Sequence, residues 1–332
     1  MCTRPLIRAE TFESYINKQG AKSYKCEWLQ RDFYDECMKT ESGQKMLKYK
    51  YRRVTPVPCG KCIECKLNYS RQWATDCMLE KEYYNENECW FITLTYSDEY
   101  LPQAEFKTDT GESYKGISLR KKDLQDFWKR LRKHYTKNKI KYLAVGEYGK
   151  TTSRPHYHAI VYGLNLDTNK LKFLNNNENG DSLWTHPDIE KIWGKGQIVL
   201  GQVTWKSVAY VARYTLKKQR DKDIALDQRY GRIPPFICMS QGIGKRYYEE
   251  HQKNLVSQDA FILPNGQYPL TKRFMRNLKV IDEELYTTLS ESHKQFAEEH
   301  QKQLSLSTDL NQEEIRQNQS FINEKNFKDI RR

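Results

Sequence analysis

The strongest constraint on the fold is the order in which strand-like and helix-like patterns follow one another after Trp90. The segment WFITLTY alternates threonines on one side with Ile92 and Leu94 on the other, as in a half-buried strand. In SLRKKDLQDFWKRLRKHY, apolar side chains recur every three or four residues, which indicates a helix. KYLAVGEYG, HYHAIVYG and QIVLGQVTW are further strand patterns, and WKSVAYVARYTLKKQR is a helical one. The chain therefore predicts the order β-α-β-β-α-β-α.

This order predicts an α+β fold with the ferredoxin-like split β-α-β topology, an antiparallel sheet with its helices on one face. The other face would be open to a ligand. Outside this core we expect an irregular N-terminal segment at 1–55 and a packed C-terminal extension at 221–280. Residues 281–332 have a helical composition that ends in a Gln/Asn-rich stretch, so we expect a helical, partly mobile tail.

The charge of the chain is uneven along its length. The formal net charge is +13, yet residues 281–332 carry 7 basic and 11 acidic side chains. The other 49 basic and 32 acidic residues lie in 1–280, together with most of the 42 aromatic side chains. A basic, aromatic-rich body is typical of nucleic-acid binding through phosphate contacts and base stacking. A merely soluble basic surface is the alternative.

The sequence gives no sign of a membrane or an oxidising compartment. No apolar run approaches the roughly 18 residues that span a bilayer, and MCTRPLIRAETFESY lacks the apolar centre of a secretory signal. Nine cysteines, an odd number, favour reduced thiols over a disulfide framework. We therefore expect a cytoplasmic protein with no membrane partner.

Two histidines open the strand pattern of RPHYHAIVYG. His156 and His158 are two residues apart and so face the same side of a strand. Glu147 ends the preceding strand pattern, so an antiparallel pairing would bring its carboxylate beside both imidazoles. Two imidazoles and one carboxylate leave coordination positions open and suit Mg²⁺ or Mn²⁺ acting on a phosphate. The alternative is that Glu147 forms a salt bridge with a protonated histidine.

Two tyrosines share one face of the helix pattern SVAYVARYTLKK. Tyr210 and Tyr214 are i and i+4 neighbours, and they lie away from the apolar side marked by Val208 and Val211. A phenol can attack phosphorus when a metal neutralises the phosphate, and Lys217 is placed to stabilise the developing charge. A surface platform on which bases stack is the competing interpretation.

FITLTY, GEYG, RPHYHAIVYG and YVARYTLKK resemble, in this order, the motifs of HUH endonucleases that initiate rolling-circle replication. The chain is most similar to the replication initiators of the gokushovirus branch of the Microviridae, small single-stranded DNA phages. PCGKCIECKLNYSRQWATDCMLE also resembles that branch. The resemblance places an HUH replication-initiator domain at 56–220.

The resemblance implies a metal-dependent nickase that cuts the viral origin strand and becomes joined to its 5′ phosphate. It frees a 3′-hydroxyl for host DNA polymerase and later closes the displaced strand into a circle in the host bacterial cytoplasm. His156, His158 and Glu147 would be the metal ligands, and Tyr210 and Tyr214 the paired nucleophiles. The sequence contains no Walker-type G-x-x-x-x-G-K-[ST] element, so a host helicase is expected to unwind the duplex.

A cysteine cluster precedes this core in PCGKCIECK, within the segment 59–77. Cys59, Cys62 and Cys65 have the C-x2-C-x2-C spacing, and Cys77 follows in a helix-like stretch. A structural zinc site formed by these four residues is one hypothesis, and ordinary reduced cysteines are the other. The bacterial iron–sulfur run would need a fourth cysteine three residues after Cys65, and this chain has none there.

Other functions fit part of the same pattern. A relaxase or transposase of the HUH type would use the same chemistry on different DNA. A non-catalytic binder of single-stranded nucleic acid would use an open sheet with aromatic side chains on its central strands and no metal. Histidine and threonine occupy those positions in this sequence, which favours the enzyme.

Overall fold

The computed structural model describes residues 5–17, 22–60, 62–107, 111–137, 139–149, 151–217, 232–263, 266–307 and 321–322. The chain divides into two compact units, one formed by 1–68 with 300–332 and the other by 69–299. No helix among the described residues is long and apolar enough to cross a membrane.

The first unit contains a three-stranded antiparallel sheet in the order β2-β1-β3. Its elements are β1 Leu6–Ile16, β2 Lys22–Leu29, α1 Arg31–Lys39, α2 Glu41–Lys50 and β3 Arg53–Val57, followed by α3 Ile63–Lys81, which continues into the second unit. A small core joins the sheet to both short helices, with Ala9, Cys37, Leu47 and Tyr51 buried.

The prediction that residues 1–55 are irregular is therefore wrong. The sequence signal is weak because α1 buries only Cys37 and α2 only Leu47 among their described side chains. In β1 only Ile7 and Ala9 are buried, and Phe12 is exposed. Such short elements carry too few buried positions to give a recognisable hydrophobic period, and they are stabilised by packing on one another.

The second unit is built on an antiparallel sheet of seven described strands in the order β12-β7-β8-β4-β11-β10-β9. The elements of this part are β4 Cys89–Thr95, β5 Gln103–Lys107, β6 Ser113–Ile117, α4 Lys121–His134, β7 Lys141–Tyr148, β8 Pro155–Tyr162, β9 Lys172–Asn176, β10 Ser182–Thr185, α5 Pro187–Trp193, β11 Ile198–Gln202, α6 Trp205–Lys217 and β12 Phe236–Met239. The predicted α+β class, with β7 and β8 as an antiparallel pair, is confirmed. The HUH-type identification of this core stays a prediction.

Helices cover both faces of this sheet. On one face, Ile92 of β4 belongs to a core that includes Phe127 of α4 and Trp193 of α5. On the other face, Val145 of β7 belongs to a core that includes side chains of α3 and α6. The buried members of this second core are Trp73, Ala74, Cys77, Cys89, Leu143, Val145, Ile160, Tyr162, Val203, Val208, Val211, Ala212 and Ile243.

The predicted open face is therefore wrong, and the physical reason lies in the central strands. Alternate residues of a strand face opposite sides. The face of β7 and β8 that carries Glu147 and His158 also carries Leu143, Ile160 and Tyr162, all fully buried. Such apolar side chains need a second helical layer, which α3 and α6 provide.

The chain after β12 forms a third small core within the second unit. Its elements are α7 Lys245–Glu250, α8 Gln252–Gln258, β13 Ala260–Leu263, β14 Gly266–Pro269, α9 Lys272–Ile281 and α10 Glu283–Ser307. Leu79 of α3 packs here with Phe261 of β13, Phe274 of α9 and Leu289 of α10. The segment predicted as a packed extension thus begins with 218–231, which lies outside the described residues, and the predicted tail begins with α10.

Asp76 of α3 is a buried carboxylate that this C-terminal part holds in place. Arg273 of α9 donates to Asp76 Oδ2 at 2.9 Å, Tyr248 donates to Oδ1, and the Tyr248 and Thr271 hydroxyls are 3.0 Å apart. Burial raises the pKa of Asp76 to about 6, and Arg273 acts in the opposite direction. The ionised form of Asp76 therefore depends on the Arg273 guanidinium.

Arg273→Ala is expected to lower the free energy of unfolding by ~3 kcal/mol near neutral pH, because it leaves the Asp76 carboxylate buried without its cation. The folded-state pKa of Asp76 lies above its ordinary value of 3.8, so its contribution to stability falls as pH rises through about 6. Loss of Arg273 strengthens this fall. The deficit should thus be smaller at about pH 4.5 than at about pH 7.5 in urea unfolding followed by tryptophan fluorescence.

Arg246→Ala is the matched control, because Arg246 forms an exposed i,i+4 pair with Glu250 at 2.7 Å. An exposed pair of this kind contributes ~0.5 kcal/mol, so the control should unfold almost like the original chain. A deficit for Arg273→Ala that is equal at the two pH values would contradict the role given to the Asp76 carboxylate.

Candidate active site

Three neighbouring strands bring the predicted metal ligands to one face of the sheet. Glu147 of β7 is directly opposite His156 of β8, and His158 of β8 is directly opposite Thr93 of β4. Because side chains two residues apart face the same side, all four project toward the face that α6 covers. The predicted juxtaposition of the carboxylate with the two imidazoles is present.

One carboxylate oxygen lies between the two rings. Glu147 Oε1 is 3.0 Å from His156 Nε2 and 3.1 Å from His158 Nε2. Glu147 is 3% exposed and His158 8%, whereas the His156 side chain is 18% exposed. The group therefore opens to solvent on the His156 side, and its carboxylate is shielded from water.

The second nitrogen of the His156 ring determines what Nε2 can do. His156 Nδ1 is 3.1 Å from the carbonyl oxygen of Arg154, and a carbonyl only accepts, so Nδ1 carries the proton. In the neutral ring, Nε2 then directs a lone pair at the Glu147 carboxylate. Two acceptors 3.0 Å apart require a cation between them, either a proton or a metal ion.

These residues fit a divalent metal ion. Donor atoms at neighbouring positions of an octahedral ion with bonds near 2.1 Å are about 3.0 Å apart, which is the spacing observed around Glu147 Oε1. One donor atom from each of Glu147, His156 and His158 lies within 4.8 Å of the others. A histidine ligand that hands its other nitrogen to a backbone or side-chain oxygen is also the usual arrangement at protein metal sites.

Two residues that the sequence interpretation missed fix the ring of His158. Thr93 Oγ1 is 2.9 Å from His158 Nδ1, so the hydroxyl orients Nε2 toward Glu147. The ring of Phe91 is stacked on the imidazole, with centroids 5.5 Å apart and an angle of 11° between planes. The alternation of β4 would have placed Phe91 and Thr93 on one face, but pairing with β8 is what brings them to His158.

Helix α6 places Tyr210 above this group. Val208, Val211 and Ala212 are buried, as the helical pattern predicted, and Tyr210 is half-buried on another side of the helix. The Tyr210 hydroxyl lies 3.4 Å from Glu147 Oε1 and 3.5 Å from His158 Nε2. A phenol is thus in reach of both the carboxylate and an imidazole.

Tyr214 and Lys217 belong to the same helix, Trp205–Lys217. Their side chains lie outside what the structure describes. Their predicted positions therefore rest on the helical repeat alone, which puts Tyr214 one turn beyond Tyr210 on the same face.

The structure brings together three of the four cysteines predicted to bind zinc. The sulfur atoms of Cys59, Cys62 and Cys65 lie within 4.8 Å of one another. Cys77 is fully buried in the core formed by α3, α6 and the sheet, and burial raises the pKa of its thiol to about 12. Twelve residues of helix, about 18 Å, separate it from Cys65 on α3. The prediction that Cys77 is the fourth ligand is wrong, because a continuous helix keeps the two apart.

Comparison with known proteins identifies relatives of the whole core. The family model for replication-associated proteins of the ORF2 type matches residues 89–219, which contain the candidate site. The replication-associated protein ORF2 of Spiroplasma virus 4 is 35% identical over 233 residues, 67% of this chain and 68% of that protein. The replication-associated protein VP4 of Bdellovibrio phage phiMH2K is 32% identical over 226 residues, 65% of each chain.

A more distant relative is the replication-associated protein ORF4 of Chlamydia phage 1. It is 28% identical over 246 residues, 70% of this chain and 56% of that protein. No solved structure matches this chain. The matched family and the extent of the Spiroplasma virus 4 alignment agree with the motifs in β4, β7, β8 and α6, and the chain belongs to the replication-associated proteins of Microviridae-like phages.

Proposed function

We propose that this protein starts rolling-circle replication by cutting one strand of viral DNA at its origin with Tyr210 as the nucleophile. The observation that carries the proposal is the position of the Tyr210 hydroxyl, 3.4 Å from Glu147 Oε1 and 3.5 Å from His158 Nε2. A nucleophile beside a candidate metal group is the arrangement that phosphoryl transfer to a side chain requires.

Glu147, His156 and His158 would hold Mg²⁺ or Mn²⁺, which when bound would neutralise the attacked phosphate and polarise it. The surrounding residues orient this group. The Arg154 carbonyl and the Thr93 hydroxyl turn both Nε2 atoms toward Glu147. Residue Arg154 is itself tied to the loop after β4, since its guanidinium donates to the carbonyl of Tyr96 at 2.9 Å.

The proposed reaction exchanges one phosphodiester oxygen for another. A bond forms between the Tyr210 phenol oxygen and phosphorus as the bond from phosphorus to the 3′ oxygen of the preceding nucleotide breaks. The phenol loses one proton and the leaving 3′ oxygen gains one, so no water is consumed. The 5′-phosphotyrosine linkage retains the energy of the broken bond, and a 3′-hydroxyl can therefore displace the tyrosine in the rejoining step.

The second tyrosine and the host proteins complete the proposed cycle. The freed 3′-hydroxyl primes a host DNA polymerase, and a host helicase opens the duplex. After one round of synthesis Tyr214 makes the second cut while Tyr210 still holds the first 5′ end, and the displaced strand is closed into a circle. Lys217 is proposed to stabilise charge that develops on the phosphate.

The direct test uses the purified chain, Mn²⁺ and a single strand that covers the viral origin, labelled at its 3′ end. Attachment to the 5′ phosphate leaves the label on the protein, so a slow band that survives SDS is expected on a denaturing gel. Treatment with EDTA beforehand should remove it. Binding without any adduct, with Mg²⁺ and Mn²⁺ and with strands tiled across the origin, would overturn the nickase and leave a non-catalytic binder.

Thr93→Val is expected to weaken Mn²⁺ binding ~10-fold, because the substitution keeps the shape of the side chain and removes the hydroxyl that orients His158. Isothermal titration calorimetry measures this directly. Thr95→Val is the matched control, since Thr95 lies on the same strand and its hydroxyl donates to the Gln197 carbonyl at 3.0 Å. Equal weakening by both variants would contradict the orienting role of Thr93.

A further inference from the structure

Cys59, Cys62 and Cys65 form a compact group of sulfur atoms that the proposed cleavage reaction does not use. The three side chains are neither fully buried nor fully exposed. One sulfur atom from each lies within 4.8 Å of the other two. All three lie between the end of β3 and the first turn of α3, inside the first unit.

The local backbone supports this grouping. Gly60 has φ +73° and open space around its α-carbon, which allows the chain to turn back after Cys59. The backbone N–H of Cys62 donates to Cys59 Sγ at 3.3 Å, a contact that favours the thiolate form of a sulfur ligand. Cys65 lies near the N-terminal end of α3, a helix of 19 residues, where the helix dipole favours negative charge.

The spacing of the sulfur atoms selects one kind of metal centre. Thiolates bound to one tetrahedral zinc ion with bonds near 2.3 Å are about 3.8 Å apart. Sulfur atoms within 4.8 Å approach that spacing. A four-iron cluster holds each cysteine on a different iron atom and so keeps the thiolates farther apart. The geometry therefore favours a single ion.

We propose that Cys59, Cys62 and Cys65 bind one zinc ion, with a donor from outside these three residues at the fourth position. The ion fixes the path of the chain from β3 into α3, so its role is structural and separate from the Glu147 group. Three soft thiolates select zinc over Mg²⁺ or Mn²⁺, which prefer oxygen ligands. The two sites would thus take different metals from the same solution.

The test counts metal in a full-length chain that carries His156→Ala and His158→Ala, so that the Glu147 group does not contribute. Elemental analysis after purification is expected to give one zinc per chain. Adding Cys62→Ser should lower the zinc content at least 10-fold. The control Cys26→Ser should retain it, because Cys26 is an exposed thiol on β2 that lies outside the group.

Replacement by Co²⁺ identifies the ligands even where a serine variant folds poorly. The original chain should show thiolate-to-cobalt charge-transfer absorption with tetrahedral d–d bands. Cys65→His should still bind one ion with about one third of the charge-transfer absorption lost, since a thiolate is replaced by an imidazole. A folded chain without zinc or Co²⁺ binding, zinc retained in Cys62→Ser, or iron–sulfur absorption would each overturn the proposal. None of these outcomes bears on strand cleavage.

Discussion

Tyr210→Phe is expected to lower the rate of the first strand cleavage by ~10³-fold or more, because it removes the oxygen that attacks phosphorus. The ring stays, so the edge-on contacts with His158 at 5.2 Å and Phe91 at 6.3 Å between centroids are kept and the fold should be unchanged. Single-turnover cleavage with the protein in excess over a 3′-labelled origin strand measures the rate. The covalent band should disappear in parallel.

Tyr214→Phe is the matched control on the same helix. We expect the first cleavage to proceed and the joining of a second strand to fail, because the proposed second nucleophile is missing. The assignment of the first cut to Tyr210 rests on its contacts with Glu147 and His158. Normal cleavage by Tyr210→Phe together with loss in Tyr214→Phe would reverse the order of the two tyrosines.

His158→Ala is expected to abolish the metal dependence of the protein. The ring nitrogen 3.1 Å from Glu147 Oε1 is lost, and with it the partner of Thr93 and Phe91. We expect Mn²⁺ affinity to fall by ~100-fold or more and cleavage to fall with it. Thermal unfolding with and without Mn²⁺ gives a second measurement. A ligand at 100 times its Kd stabilises the folded state by about 2.7 kcal/mol, and this increment should vanish.

His134→Ala is the control for this experiment, because His134 is an exposed histidine at the end of α4. It should bind Mn²⁺ and cleave DNA like the original chain. DNA binding by His158→Ala, measured at one fixed salt concentration, should persist, since phosphate contacts from basic side chains supply most of that affinity. Unchanged Mn²⁺ binding in His158→Ala would contradict the metal centre.

Part of the candidate site follows from local rules. Strand residues alternate between faces, so the H-x-H spacing alone puts His156 and His158 on one side. The short loop between β7 and β8 favours an antiparallel pair, and this pairing puts Glu147 directly opposite His156. The helical period of α6 likewise separates Tyr210 from the buried Val208 and Val211. Each of these relations spans a short stretch of chain.

The remaining features depend on contacts between residues far apart in the chain. Thr93 reaches His158 because β4 pairs with β8 across 65 positions, and no local pattern encodes that register. The helices that cover the site face were not predicted there, because an apolar strand face shows that it must be buried and not which helix buries it. Cys77 has a suitable residue type for a zinc ligand, but its position along α3 separates it from the other three cysteines.

Local sequence patterns are sufficient for the order of the core elements and for the ligand triad, since both follow from the two-residue period of strands and the 3.6-residue period of helices. Tertiary packing establishes which strands are neighbours, which face is covered, and how close the Tyr210 hydroxyl comes to Glu147 and His158. These features depend on a core assembled from distant segments, because burial of apolar area selects among arrangements that share the same local patterns.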